Sequence, residues 1–205
     1  MSEASGFGPS ALATPANAVT VVRLLAAPLL VVSITTSGAT WLNLALWVLL
    51  ASTDGVDGWI ARRHGTTRSG AFLDPLADKV LVLGALFALV AIDRFWWVPV
   101  AVIAAREVAV SLWRVHLGRR GLAVPASPGG KLKTFVQAFA IGCALAPPLV
   151  GATWIADSLL WAAVVVAVVS GVQYWRAGLR AATDMHPGDD SPAEGAATPE
   201  GGQVP

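Results

Sequence analysis

Six apolar runs dominate this chain, at residues 19–36, 41–61, 72–92, 97–115, 133–151 and 154–175. Each is about long enough to cross the ~30 Å hydrocarbon core of a bilayer as an α-helix. Little is left over to cover a soluble surface. Of the 205 residues 55% are hydrophobic and 13% charged, where a soluble domain carries about 25% charged residues. Nine Trp against one Tyr point the same way, because Trp concentrates at membrane interfaces. A soluble globular protein, a disordered chain and a disulfide scaffold are therefore poor readings. A single cysteine, Cys143, cannot form an internal disulfide, and a net charge of +1 implies no nucleic-acid partner. The sequence predicts an all-α polytopic membrane protein with six transmembrane helices.

The runs also divide the chain. Residues 1–16 are polar and contain Pro and Gly, with no basic segment and no clear cleavage site after the first run, so they read as a flexible N-terminal segment and not as a signal peptide. Residues 17–180 form the membrane domain. Residues 181–205, rich in Gly, Pro, Ala and acids, have nothing to bury and are expected to be disordered. With both termini cytoplasmic, the outer loops lie near 37–40, 93–96 and 151–154, and of the 14 Lys and Arg only Arg94 falls outside. That asymmetry is what the positive-inside rule requires. Trp41, Trp96, Trp97 and Trp154 then mark the outer interface, and Trp113 and Trp175 the inner one.

Four carboxylates carry the chemistry. Asp54 and Asp57 are spaced i,i+3 and Asp74 and Asp78 i,i+4, so each pair shares a helix face. Both pairs lie at the ends of apolar runs that meet at one cytoplasmic turn, residues 63–70. A carboxylate at membrane depth costs about 2.5–3.5 kcal/mol, and four near one level repel one another. Bound cations remove both penalties, and hard oxygen ligands suit Mg²⁺ or Mn²⁺. The plainer alternative, pairing with Arg62, Arg63, Arg68 and Lys79, explains scattered acids better than two facing pairs. Gly58, Ala61 and Gly70 leave space beside the acids, and Arg62 projects near them, where it could hold a phosphate. Two metals, a phosphate-binding Arg and room for close approach suggest diphosphate chemistry.

The stretch Asp54-Gly-Val-Asp57-Gly58-Trp-Ile-Ala61-Arg62, followed by Gly70-Ala-Phe-Leu-Asp74-Pro-Leu-Ala-Asp78, resembles the signature of the CDP-alcohol phosphotransferase family, DxxDGxxAR and GxxxDxxxD. The spacer Arg63 to Ser69 is one residue shorter than the signature's. By this resemblance the four aspartates hold two Mg²⁺ (or Mn²⁺) ions and Asp78 is the general base. Asp57, Gly58, Ala61, Arg62 and Gly70 line the CDP part of a lipid. Further stretches are similar to family members that use sn-glycerol 3-phosphate as acceptor: Thr20-Val-Val-Arg23 with Pro28, Ala105-Arg106-Glu107, Val124-Pro-Ala-Ser127, Gly130-Lys131-Leu-Lys133-Thr134 and Gln137. The resemblance thus implies CDP-diacylglycerol and sn-glycerol 3-phosphate as substrates. It also implies an inner-membrane enzyme with a cytoplasm-facing polar cavity, and a homodimer.

The acceptor is read from the cations. Arg106 lies deeper in its run than a snorkelling residue needs to, and a buried cation wants an anion. Arg106, Lys131, Lys133 and Arg23 are the candidates for binding the acceptor phosphate, with Arg23 alternatively snorkelling to headgroups. They do not separate glycerol phosphate from inositol phosphate; phosphatidylglycerol, as in a cardiolipin synthase, is a further alternative. A divalent-cation transporter is a remote one. Arg114, Arg119 and Arg120 read as orientation charges. Glu107 is expected to be a helix-packing partner that does not face Arg106, because adjacent helical residues diverge. His64, His116 and His186 are expected to face solvent, Cys143 to pack, Gly84 to ease helix packing, and Pro28 and Pro147-Pro148 to kink or end helices.

Overall fold

The computed structural model describes the backbone of residues 15–64, 68–119 and 128–184, and the side chains of 20–53, 76–119, 130 and 132–181. Among the described residues six α-helices follow one another: α1 Pro15–Ser37, α2 Trp41–His64, α3 Arg68–Ala91, α4 Trp97–Arg119, α5 Pro128–Leu145 and α6 Thr153–Asp184. No strand occurs among the described residues. Each helix overlays one of the six apolar runs. α1 opens at Pro15, inside the stretch expected to be flexible, and α6 runs to Asp184, past the boundary expected at 180.

Local chemistry explains the breaks. α1 ends at Gly38, whose φ of 63° suits a residue without a Cβ. Its N–H bonds Ile34 O at 2.8 Å, and its carbonyl accepts from Asn43 Nδ2 at 2.7 Å. Thr40 caps α2, its Oγ1 accepting from the Asn43 N–H at 3.1 Å. The α3–α4 turn closes with the Arg94 N–H on Leu89 O at 2.9 Å. Arg94 itself faces Asp157 of α6 at 3.6 Å, pinning that turn to the last helix. Pro147 and Pro148 end α5 in a single 3₁₀ turn, Pro147–Leu149, whereas α1 continues through Pro28 to Ser37.

The helices share one core. α1 lies along α3, α6 lies along both α5 and α4, and α2 leans on α1 and α5. Leu30 and Ile34 of α1, Leu81, Leu86 and Leu89 of α3, Ile103 of α4, Ile141 and Leu145 of α5 and Leu160 of α6 belong to one buried cluster. Trp47 joins them, its Nε1 donating to Ala138 O at 3.0 Å. Gly84 brings α3 onto α1 as expected, since a Cβ there would stand 3.1 Å from Val31 Cγ2. The outward faces are also apolar: Leu25, Leu29, Phe135 and Trp154 are 66–71% exposed. Helices apolar on both faces belong in a bilayer. By length and composition α1 and α6 are long and apolar enough to cross one, over Thr20–Ser37 and Thr153–Ala181. In α3, α4 and α5 the apolar stretch is interrupted by Asp78, Lys79, Arg106, Glu107 and Lys133, the residues that build the site.

One contact sets a prediction. A Cβ on Gly178 of α6 would lie 2.5 Å from Trp113 Nε1 and 2.8 Å from Leu117 Cδ1 of α4. Overpacking of this kind costs about 1–3 kcal/mol. Gly178→Ala is expected to lower the thermal unfolding midpoint in detergent, while Gly118→Ala, with nothing within 4 Å, leaves it unchanged or slightly raised.

Candidate active site

A cavity of about 560 Å³ opens between α3, α4, α5 and α6, with Ala51 of α2 at its edge. Its wall places Asp78 and Lys79 of α3, Arg106, Glu107 and Arg114 of α4, Lys133 and Gln137 of α5, and Tyr174 of α6 together. Val82, Leu83 and Val110 make the apolar part. Residues from four helices converge here because each carries its polar group on the face it turns toward its neighbours.

Glu107 organises the cations. It is 7% exposed, and its Oε1 accepts from Arg106 Nη1 at 2.9 Å and from Lys133 Nζ. Its Oε2 lies 3.9 Å from Lys79 Nζ. Lys79 Nζ also donates to Ser111 Oγ, which in turn donates to Glu107 O at 2.6 Å. Arg106 reaches across to α6, where Nε donates to Ala167 O at 3.0 Å and Nη2 to Ser170 Oγ at 3.0 Å. Gly171 makes that reach possible: a Cβ there would stand 3.2 Å from Arg106 Nε and 3.3 Å from its Cγ.

Two expectations are corrected by this arrangement. Arg106 and Glu107 do pair, although they are neighbours on one helix. The guanidinium is long enough to lie over α6, and its anchoring there turns Nη1 back toward the carboxylate. Arg114 is no mere orientation charge either. It lines the cavity, its Nε donating to Tyr174 Oη at 3.4 Å and its guanidinium 5.4 Å from the centre of that ring. His116 is exposed as expected, and stacks on Trp113 at 5.5 Å.

Of the sequence-derived site residues, the cavity brings Asp78, Arg106 and Lys133 together. Arg23 does not join them. It is 1% exposed, so it does not snorkel; its Nε and Nη2 both donate to Thr53 Oγ1 at 3.2 Å, one position before Asp54. Asp54 and Asp57 sit in α2 and Asp74 in α3. Their side chains, with those of Gly58, Ala61, Arg62, Gly70 and Lys131, lie outside the described residues. The sequence reading missed Arg114, Tyr174 and Ser170.

Residues 13–169 match the family model described as CDP-alcohol phosphatidyltransferase. The chain belongs to that family. Curated relatives agree along most of their length. The chain is 39% identical over 181 residues, 84% of itself and 85% of the relative, to a "Probable phosphatidylglycerophosphate synthase" of Mycobacterium tuberculosis (strain ATCC 25618 / H37Rv). It is 36% identical over 163 residues, 76% of itself and 89% of the relative, to a "CDP-diacylglycerol--glycerol-3-phosphate 3-phosphatidyltransferase" of Salmonella choleraesuis (strain SC-B67). A protein of the same name from Bacillus subtilis (strain 168) is 42% identical over 134 residues, 63% of this chain and 69% of the relative. In this CDP-alcohol phosphatidyltransferase the family match takes in Asp54 to Asp78, Arg106, Glu107 and Lys133, and stops just before Ser170 and Tyr174.

Proposed function

We propose that this chain transfers the phosphatidyl group of CDP-diacylglycerol to the 1-hydroxyl of sn-glycerol 3-phosphate, giving phosphatidylglycerophosphate and CMP. The observation that carries this reading is the grouping of Lys79, Arg106, Arg114 and Lys133 in one cavity with Asp78. A phosphorylated acceptor needs such a set of cations, and the attack needs a carboxylate beside it. Between glycerol phosphate and inositol phosphate, the names of the relatives favour glycerol phosphate. The same cations oppose a path for divalent cations.

In this reading the cations hold the acceptor phosphate and Asp78 takes the proton of the attacking hydroxyl. The new bond forms between that oxygen and the lipid-bearing phosphorus. The bond from this phosphorus to the bridging diphosphate oxygen breaks, and CMP leaves; by the family resemblance Arg62 would bind its phosphate. Asp54, Asp57, Asp74 and Asp78 would hold two Mg²⁺ or Mn²⁺ ions. The donor set fits such ions, being hard carboxylate oxygens, and its described member, Asp78, is partly buried at the cavity wall. When bound, the ions neutralise the diphosphate and stabilise attacking and leaving oxygens.

Six helices would cross the inner membrane with both termini cytoplasmic and the cavity open to that side. Supporting this are the exposed Trp41, Trp96, Trp97 and Trp154, all at or next to the starts of α2, α4 and α6, which suits an interfacial belt. A homodimer belongs to the same reading, on the family resemblance alone.

The test is CMP release by purified protein in mixed micelles of CDP-diacylglycerol and Mg²⁺, with sn-glycerol 3-phosphate as the only acceptor. Release is expected to depend on glycerol phosphate, to stop with EDTA and to return with Mg²⁺. A folded protein that releases CMP with inositol phosphate and not with glycerol phosphate would overturn the acceptor assignment.

A further inference from the structure

We infer that Glu107 is a positioning residue for the acceptor's phosphate: it is the fixed counter-charge that holds Arg106, Lys133 and Lys79 around one anion-binding point. The inference rests on the phosphorylated-acceptor reading and adds to it the residue that shapes the phosphate site. Glu107 is itself an anion, so nothing in its charge suggests a place in a phosphate pocket. Its geometry does.

The first argument is donor counting. A guanidinium has five N–H groups and an ammonium three. Among the described residues, Arg106 donates one each to Ala167 O, Ser170 Oγ and Glu107 Oε1. Lys133 donates to Glu107, and Lys79 to Ser111. Each cation is thus anchored by contacts that use only part of its donors, and all three line the cavity. A site with donors held in place before the ligand arrives loses little to reorganisation when it binds.

The second argument is charge. Three cations converging on one point repel one another, and without a shared anion their flexible chains would swing apart. Glu107 keeps them together while leaving two positive charges in excess. A phosphate monoester carries about −1.5 to −2 near neutral pH, which matches that excess. Arg114, on Tyr174, adds a fourth cation and Asp78 on the same wall a second carboxylate, so the excess stays at two. A carboxylate that only satisfied one lysine inside the bundle would need neither the two-oxygen contact with three cations nor a cavity at its side.

Binding measured by calorimetry in detergent tests this apart from turnover. Wild type and Glu107→Gln are titrated with sn-glycerol 3-phosphate and with glycerol as the phosphate-free control. Glu107→Gln keeps the side chain's size and removes its charge. It is expected to weaken glycerol phosphate at least about tenfold, with Glu107→Asp recovering part of the loss. In the CMP assay the acceptor KM rises by a similar factor while the KM for CDP-diacylglycerol stays within about twofold. Unchanged or tighter phosphate binding, or equal losses for both substrates, would overturn the inference. Should Glu107→Gln fail to fold, Glu107→Asp carries the test: it keeps the charge but draws it back from Arg106, Lys133 and Lys79, and is expected to raise the acceptor KM alone, an unchanged acceptor KM overturning the inference. A wild type that turns over only with another phosphorylated acceptor, weakened selectively by Glu107→Gln, would overturn the choice of glycerol phosphate and uphold the role of Glu107.

Discussion

Asp78→Asn is expected to abolish phosphatidyl transfer while leaving the protein folded. The substitution keeps the side chain's shape at a partly buried position of the cavity wall and removes both its negative charge and its capacity to accept a proton. Loss of a positioned general base lowers a rate by about 10²–10⁴-fold, and loss of a metal-ligand charge adds to that. CMP release should fall below about one-hundredth of wild type. The thermal midpoint in detergent should barely move, because Leu81, Leu86 and Leu89, which seat α3 against α1, are untouched. The two roles assigned to Asp78 separate in a Mg²⁺ titration. A residue acting only as a ligand would be rescued by high Mg²⁺. A base would not, and the expected result is no rescue.

What was legible in the sequence was whatever repeats along the chain or lies close together in it. Apolar runs mark the starts of α2, α4 and α6 to within a residue, whereas α5 stops six residues short of its run, at Pro147-Pro148, and α6 continues nine residues past its own. Of the signature aspartates, whose spacings of three and four predict shared faces, Asp78 is the described one, and it lines the cavity. The cluster around Glu107 is different. Arg106 and Glu107 are adjacent, and helix geometry taken alone points them apart; they meet because Ala167 and Ser170, some sixty residues on, capture the rest of the guanidinium. Arg114 looks like one of several basic residues near a helix end until Tyr174 is placed beside it. Gly171 carries no local signal at all. Its value lies in the missing Cβ over which Arg106 passes. Long side chains reach across helices, and that reach has no period in the sequence.

Arg106→Ala carries the second large effect, and it should be selective. The wild-type guanidinium spans Ala167 O, Ser170 Oγ and Glu107 Oε1 at 3.0, 3.0 and 2.9 Å. If that fork pairs with the acceptor's phosphate, removing it costs about 2–5 kcal/mol of binding, or roughly 30-fold to several-thousandfold in kcat/KM for the acceptor. Glu107 keeps Lys133 and Lys79, so the carboxylate is not stranded and the protein should still fold. Arg106→Lys is not expected to restore activity. A single ammonium on a flexible stem cannot reproduce a planar fork fixed at three points. Gly171→Ala should produce a milder version of the same defect, since its new methyl group must push Arg106 aside by a few tenths of an ångström. Initial rates of CMP release against sn-glycerol 3-phosphate and against CDP-diacylglycerol decide the matter. A loss confined to the acceptor axis is the expected result. A loss confined to the lipid axis would assign Arg106 to the donor's diphosphate, and the cradle around Glu107 with it.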